Sequence, residues 1–112
     1  MDTVHLQELA ADHLEQAGAT SSGRHSHTLV GGHGHALRQT LMALKADHGL
    51  ADHESPGEAT VQVITGHITI STASTVTHVR AGELCVVPGE LHSVQSLEDS
   101  VMLLTVLVPQ TP

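Results

Sequence analysis

Residues 59 to 70, ATVQVITGHITI, alternate side chains with a period of two on both sides of a single glycine, and no other feature restricts the fold as much. Successive strand residues point to opposite faces. The pattern therefore predicts one face carrying Ala59, Val61, Val63 and Thr65 and another carrying Thr60, Gln62 and Ile64. Gly66 permits a tight turn, after which Ile68 and Ile70 share a face again. Further strand candidates follow in TVTHV, LCVVP, LHSVQSL and SVMLLTVLVP, with RAGE as a turn among them. The last of these is apolar on both faces, so both faces need cover, from a helix, a barrel interior or a second subunit.

Upstream, ALRQTLMALKA is read as another strand because strands follow it. In residues 3 to 17, Leu6, Leu9, Ala10, Leu14 and Ala17 fall at helical spacing, with Thr3 or Asp2 as N-cap and Gly18 as C-terminal cap. Between the two lies a stretch rich in Gly, Ser and His, read as an irregular arm or edge segment. Short strands at regular spacing, with turn signals between them, indicate an all-β sandwich or small barrel preceded by a short N-terminal helix.

Composition narrows the function. The chain contains no Phe, Tyr or Trp, so its core is built from Leu, Val, Ile, Ala and Met. Twelve acidic residues against four Lys and Arg give a net charge of −8, which repels a phosphate backbone, and no ring is available to stack on a base. Nucleic acid is excluded as a partner on these grounds. No apolar run approaches a membrane span and no charged segment leads into one, so no membrane partner is expected and the expected location is cytoplasmic. The lone Cys85, in an apolar run, is read as a small hydrophobe.

Eleven histidines are the compositional excess. HSH (His25, His27) and HGH (His33, His35) carry histidines two apart, a spacing read as an adventitious grip for nickel or zinc rather than a built site.

Two further stretches, HESPGEATVQVITG and GELCVVPGELH, carry a recognisable order. Together they resemble the paired motifs of small single-domain cupins of the conserved-barrel type. In that family a His-x-His pair, a Glu and a Gly form the first motif, and a Gly, a Pro and a third His form the second. The resemblance covers about residues 36 to 108. It implies a double-stranded β-helix, a jelly-roll-like barrel, over residues 36–112, with 1–35 as the N-terminal helix and His/Gly-rich arm. It also implies a homodimer, a small-molecule ligand and, as cofactor, a divalent transition metal (Zn, Ni, Fe or Mn).

Carried over residue by residue, the metal motif is degenerate. His53 stands at the first His position and Ser55 at the second. Ala59 stands where the family has its Glu, while Glu58, one residue earlier, is turned outward by strand alternation. Gly66, the Pro56–Gly57 turn, Gly82 and Pro88 are in place, and His92 matches the third His. The metal residues implied are His53 and His92. The expected pocket lining is Ser55, Ala59, Val61 and Gln39, together with the two histidines; whether Gln39 or Arg38 faces inward is left open. The function implied is small-molecule binding in the barrel with a weak or absent metal site. The alternative is a metal-dependent dioxygenase, isomerase or lyase using His53 and His92.

Overall fold

The structure is a computed structural model that describes residues 1–55 and 57–109. One helix, α1 (Leu6–Gly18), precedes the strands β1 (Arg24–Val30), β2 (Leu37–Leu44), β3 (Gly49–His53), β4 (Glu58–Thr65), β5 (His67–Ser71), β6 (Val76–Arg80), β7 (Leu84–Val86), β8 (His92–Ser96) and β9 (Ser100–Leu107). They form two sheets, ordered β1-β2-β9-β4-β7 and β3-β8-β5-β6, with every pairing antiparallel. The all-β barrel with one short N-terminal helix is the architecture the alternation predicts.

Period-two alternation builds two cores on the two sides of the five-stranded sheet. The inward row, Leu44, Ala59, Val61, Val63, Met102 and Val106, meets Ile68, Ile70, Val79 and Val94 of the second sheet. The outward row, Leu41, Ala43, Val101 and Leu103, is covered by Ala10 and Ala17 of α1, with Leu6, Leu9 and Leu14 packed around them. Each fully buried Val, Leu or Ile contributes roughly 1.5–3 kcal/mol, so a sheet covered on both faces needs no aromatic ring to hold together. The two-faced β9 is thus covered by barrel interior on one side and helix on the other. A register shift between Val63 and Thr65 breaks the predicted alternation: Ile64 packs with the helix-side core and Thr65 is exposed.

Both helix caps differ from the expected residues. The helix starts at Leu6, after the expected caps Asp2 and Thr3; its N-cap is His5, whose Nδ1 accepts the Glu8 N–H at 3.3 Å. Its C-cap is Ala19 in right-handed conformation, so the helix runs through Gly18 without using that residue's conformational freedom. Within the histidine-rich stretch, read as an arm or edge segment, β1 is the edge strand of the five-stranded sheet and pairs with β2 from Arg24↔Leu44 to Val30↔Gln39. The Pro56 half of the Pro-Gly turn lies outside the described residues.

The β4–β5 turn depends on Gly66, at φ +95°. A Cβ there would run into Ser100 Oγ and the Asp99 carbonyl. Ser100 is fully buried; its Oγ accepts the His67 N–H at 2.9 Å and donates to Glu98 O at 2.7 Å. The neighbouring buried Ser96 donates to Glu98 O as well. Next to them, Asp99 accepts from Lys45 Nζ at 2.8 Å and from the Ala46 N–H at 2.9 Å, which holds its carboxyl below the usual carboxylate range. This polar knot ties the β2–β3, β4–β5 and β8–β9 turns together at one end of the barrel. The opposite end of the barrel carries the His53↔His92 pair and the Val87 N–H bond to Ala59 O at 2.9 Å.

Candidate functional site

His53 and His92 come together as the sequence implies. They are register partners across β3 and β8, with ring centroids 4.5 Å apart and planes tilted by 60°. His92 is buried and His53 is exposed. Each ring is anchored through Nδ1, which donates to a backbone carbonyl: Ala51 O at 2.8 Å for His53 and Glu90 O at 2.9 Å for His92. A neutral imidazole that donates from Nδ1 keeps its lone pair on Nε2, the arrangement by which outer partners orient metal-binding histidines.

The rest of a metal set is missing. Ala59 is an inward core residue, paired in register with Val106. Glu58 is exposed, paired with Leu107 on the outward row, as alternation from Ala59 requires. Ser55 is half-buried and offers a neutral hydroxyl, a poor ligand for a divalent ion. Among the described residues, no group of three or more His, Cys, Asp or Glu side chains is placed to hold a metal ion. His53 and His92, among the described residues, supply two oriented imidazoles to this end of the barrel.

The interior between the sheets is filled by aliphatic side chains. Val61 is 2% exposed and belongs to the packed core, so it lines no open pocket there. Gln39 stands on the outward row opposite Thr105, and its Nε2 donates to Thr105 Oγ1 at 3.1 Å. The inward row at that level belongs to Arg38, the register partner of Val106; at the strand end it is exposed, and its Nε donates to His35 O at 3.5 Å.

A cavity of about 680 Å³ lies at this end of the five-stranded sheet, lined by Ser55, residues 57–60, Val86, Val87 and Gly89, and it opens on the outward row where Glu58, Thr60, Val86, Thr105 and Leu107 stand. Ala59, Val86, Val87 and Leu107 give it apolar walls; Ser55, Thr60 and Thr105 bring hydroxyls. Glu58 is the one charged residue among the described residues lining it, and no Lys, Arg or His lines it. Of the expected lining, Ser55 and Ala59 are there; Val61, Gln39, His53 and His92 are not. Alternation alone does not reveal Thr60 and Thr105, which face each other across β4 and β9. The available signal is a single hydroxyl in the run MLLTVLV, at Thr105.

A cavity of this size, apolar with a few fixed polar groups, has the character of a small-ligand site. An anionic ligand finds no cation in it. A neutral or cationic ligand finds hydroxyls and one carboxylate.

No protein-family model matches the chain, and no curated protein matches it. Solved structures do. A conserved protein of unknown function from Streptococcus pyogenes is 28% identical with a TM-score of 0.72, the match covering 82% of this chain and 80% of that one. A cupin 2 conserved barrel domain protein from Leptotrichia buccalis is 26% identical with a TM-score of 0.67, over 79% of this chain and 42% of that one. The salicylate 1,2-dioxygenase of Pseudoaminobacter salicylatoxidans, solved with gentisate, superposes at a TM-score of 0.74 over 89% of this chain and 32% of its own length. At 19% identity that last likeness is one of fold. Among the described residues, no helix is long and apolar enough to cross a membrane.

Proposed function

The chain has the fold of a small single-domain cupin, and on that premise we propose that it binds a small molecule without needing a metal ion. The observation that carries this reading is the 680 Å³ cavity at the barrel end, formed where the cupin motifs meet yet lined by hydroxyls and aliphatics rather than by a ligand set. Its chemistry favours a compact, largely apolar molecule bearing a hydroxyl or amine: the hydroxyls of Ser55, Thr60 and Thr105 exchange hydrogen bonds with such groups, and Glu58 pairs with a cation. Carboxylates and phosphates find hydroxyls but no cation among the described lining residues, and Glu58 repels them. Sugars lack an aromatic ring to stack on.

A thermal-shift screen of small alcohols, amines and carboxylates tests this. At a concentration about ten times Kd, a ligand adds about 1.4 kcal/mol, which raises Tm by roughly 5 °C. Alcohols or amines are expected to give such shifts and carboxylates none. Gly89 lines the cavity with open space around it, so Gly89→Leu fills the cavity without a clash and is expected to remove the shifts. Carboxylates as the best binders, or shifts unchanged in Gly89→Leu, would count against the reading.

A second reading rests on the two oriented imidazoles: a zinc, nickel, iron or manganese ion held weakly by His53 and His92 through Nε2. Two ligands leave such an ion easily lost, and no reaction is derived from it. Metal analysis of untagged protein separates the two readings. One equivalent of metal, lost in both His53→Ala and His92→Ala, favours the second.

The homodimer belongs to the same reading. Beyond α1 and the cavity, the outward face of the five-stranded sheet exposes Leu37 at 45% and Leu84 at 65%. A second copy seated there removes that surface from water. Leu84→Glu places a charge in this contact away from the cavity lining, and is expected to convert a dimer to a folded monomer by light scattering. A wild type already monomeric at tens of micromolar removes this part of the proposal. The cytoplasm is the matching location, because Cys85 is a free thiol that burial makes harder to ionise.

A further inference from the structure

The sequence places His25 and His27 on one side of a strand, and the structure shows what that side meets. His13 of α1 stacks on both: its ring centroid is 4.8 Å from that of His25, with planes 15° apart, and 4.8 Å from that of His27, with planes 21° apart. The three rings lie face to face rather than aiming nitrogens at a common point, so the arrangement is a stack and not a chelate. His13 is 7% exposed and sits on the helix face that carries Ala10 and Ala17. The Gln16 side-chain amide donates to its Nδ1 at 3.4 Å, a bond that a ring protonated at that nitrogen cannot accept.

We propose that the His13–His25–His27 stack is a proton-operated latch, which holds α1 on the sheet while the rings are neutral and releases it when a ring takes up a proton at mildly acidic pH. Little stands near to neutralise such a charge. On α1, Asp12 is the acid that acts on His13, and it is outweighed by burial first and then by His27 and His25, so His13 protonates less readily than a free imidazole. On β1 the facing groups are His25 and His27 themselves; Arg24 is on the opposite row, its Nη1 donating to Gly49 O. From β2, β4 and β9 the helix meets the aliphatic Leu41, Ala43, Ile64, Val101 and Leu103. Lys45, beside Gly18 at the far end of the helix, is already paired with Asp99.

The direction follows from linkage. With α1 lifted, His13 is in water and protonates near pH 6.5; docked, it resists the proton. Docking is therefore at full strength above about pH 6.5 and weakens as pH falls below it. Release uncovers Leu41, Ala43, Val101 and Leu103, an apolar strip suited to a new contact.

Amide hydrogen exchange of the intact protein in metal-free buffer, at pH 7.5 and 5.0 and scaled for intrinsic rate, reads this directly. Protection of α1 relative to β9 is expected to fall on the order of tenfold at pH 5.0 in wild type. In His13→Leu, which keeps the bulk without the proton site, it is expected to stay constant. Should His13→Leu not fold, His13→Gln, which keeps a polar side chain beside Gln16 without a proton site, carries the same comparison. Equal α1 protection at both pH values in wild type overturns the latch, and so does an equal loss in wild type and variant.

Discussion

Replacing Gly66 by valine is expected to lower stability by about 3 kcal/mol, read as a shift in the urea midpoint at unchanged slope. Two costs combine. A residue with a Cβ pays roughly 1–2 kcal/mol to hold φ at +95°. The new side chain also displaces Ser100 and the Asp99 carbonyl, which belong to the buried network joining three turns. Gly82→Val separates the two. That glycine is also at positive φ, +84°, but a Cβ there meets nothing within 4 Å, so only the backbone cost of about 1–2 kcal/mol applies. Equal losses at the two positions would show that the contact with Ser100 has no energetic weight.

Leu44→Ala is expected to cost a similar amount, about 3 kcal/mol. Leu44 is 0% exposed between the two sheets, and its carbonyl accepts from Ser96 Oγ at 3.4 Å, so the strand end that carries it is fixed from behind. A fixed strand cannot settle into the space left by the lost side chain, and the penalty for the void is therefore paid nearly in full. Leu44→Met, which conserves volume, should cost under about 1.5 kcal/mol. Urea unfolding of both variants decides the matter. A cost below 1 kcal/mol for Leu44→Ala would mean that the interior closes up, as an under-packed core would.

The fold was legible because its signals are local and repeated. The alternation over residues 59 to 70 locates β4, Gly66 and β5, and a final strand apolar on both faces implies a layer on each side of its sheet. β1 was hidden because its outward row contains histidines, which read as polar although two of them pack against a third from the helix. No sequence pattern links His13 to His25 and His27; only the helix docking brings them together. At the site, the resemblance to the cupin motifs pointed to His53 and His92, and strand alternation to the outward turn of Glu58. Neither found the cavity, because Thr60 and Thr105 meet through strand pairing at long sequence separation, and the parity that puts Gln39 outside and Arg38 inside depends on the same register. Without aromatic rings, a core of Leu, Val, Ile, Ala and Met must fill the interior with small side chains. Val61, Val63, Ile68, Ile70 and Met102 do so in the middle of the barrel, and the 680 Å³ cavity lies beyond them at its end.

The most direct measurement of the central claim is a crystal structure of the protein soaked with the strongest alcohol or amine from the screen. The account predicts density for that molecule at the barrel end, within hydrogen-bond reach of Ser55, Thr60 or Thr105 and against Val87, with no metal ion between His53 and His92. A molecule bound instead to a metal ion on His53 and His92, with the cavity beside Thr105 empty, would contradict it.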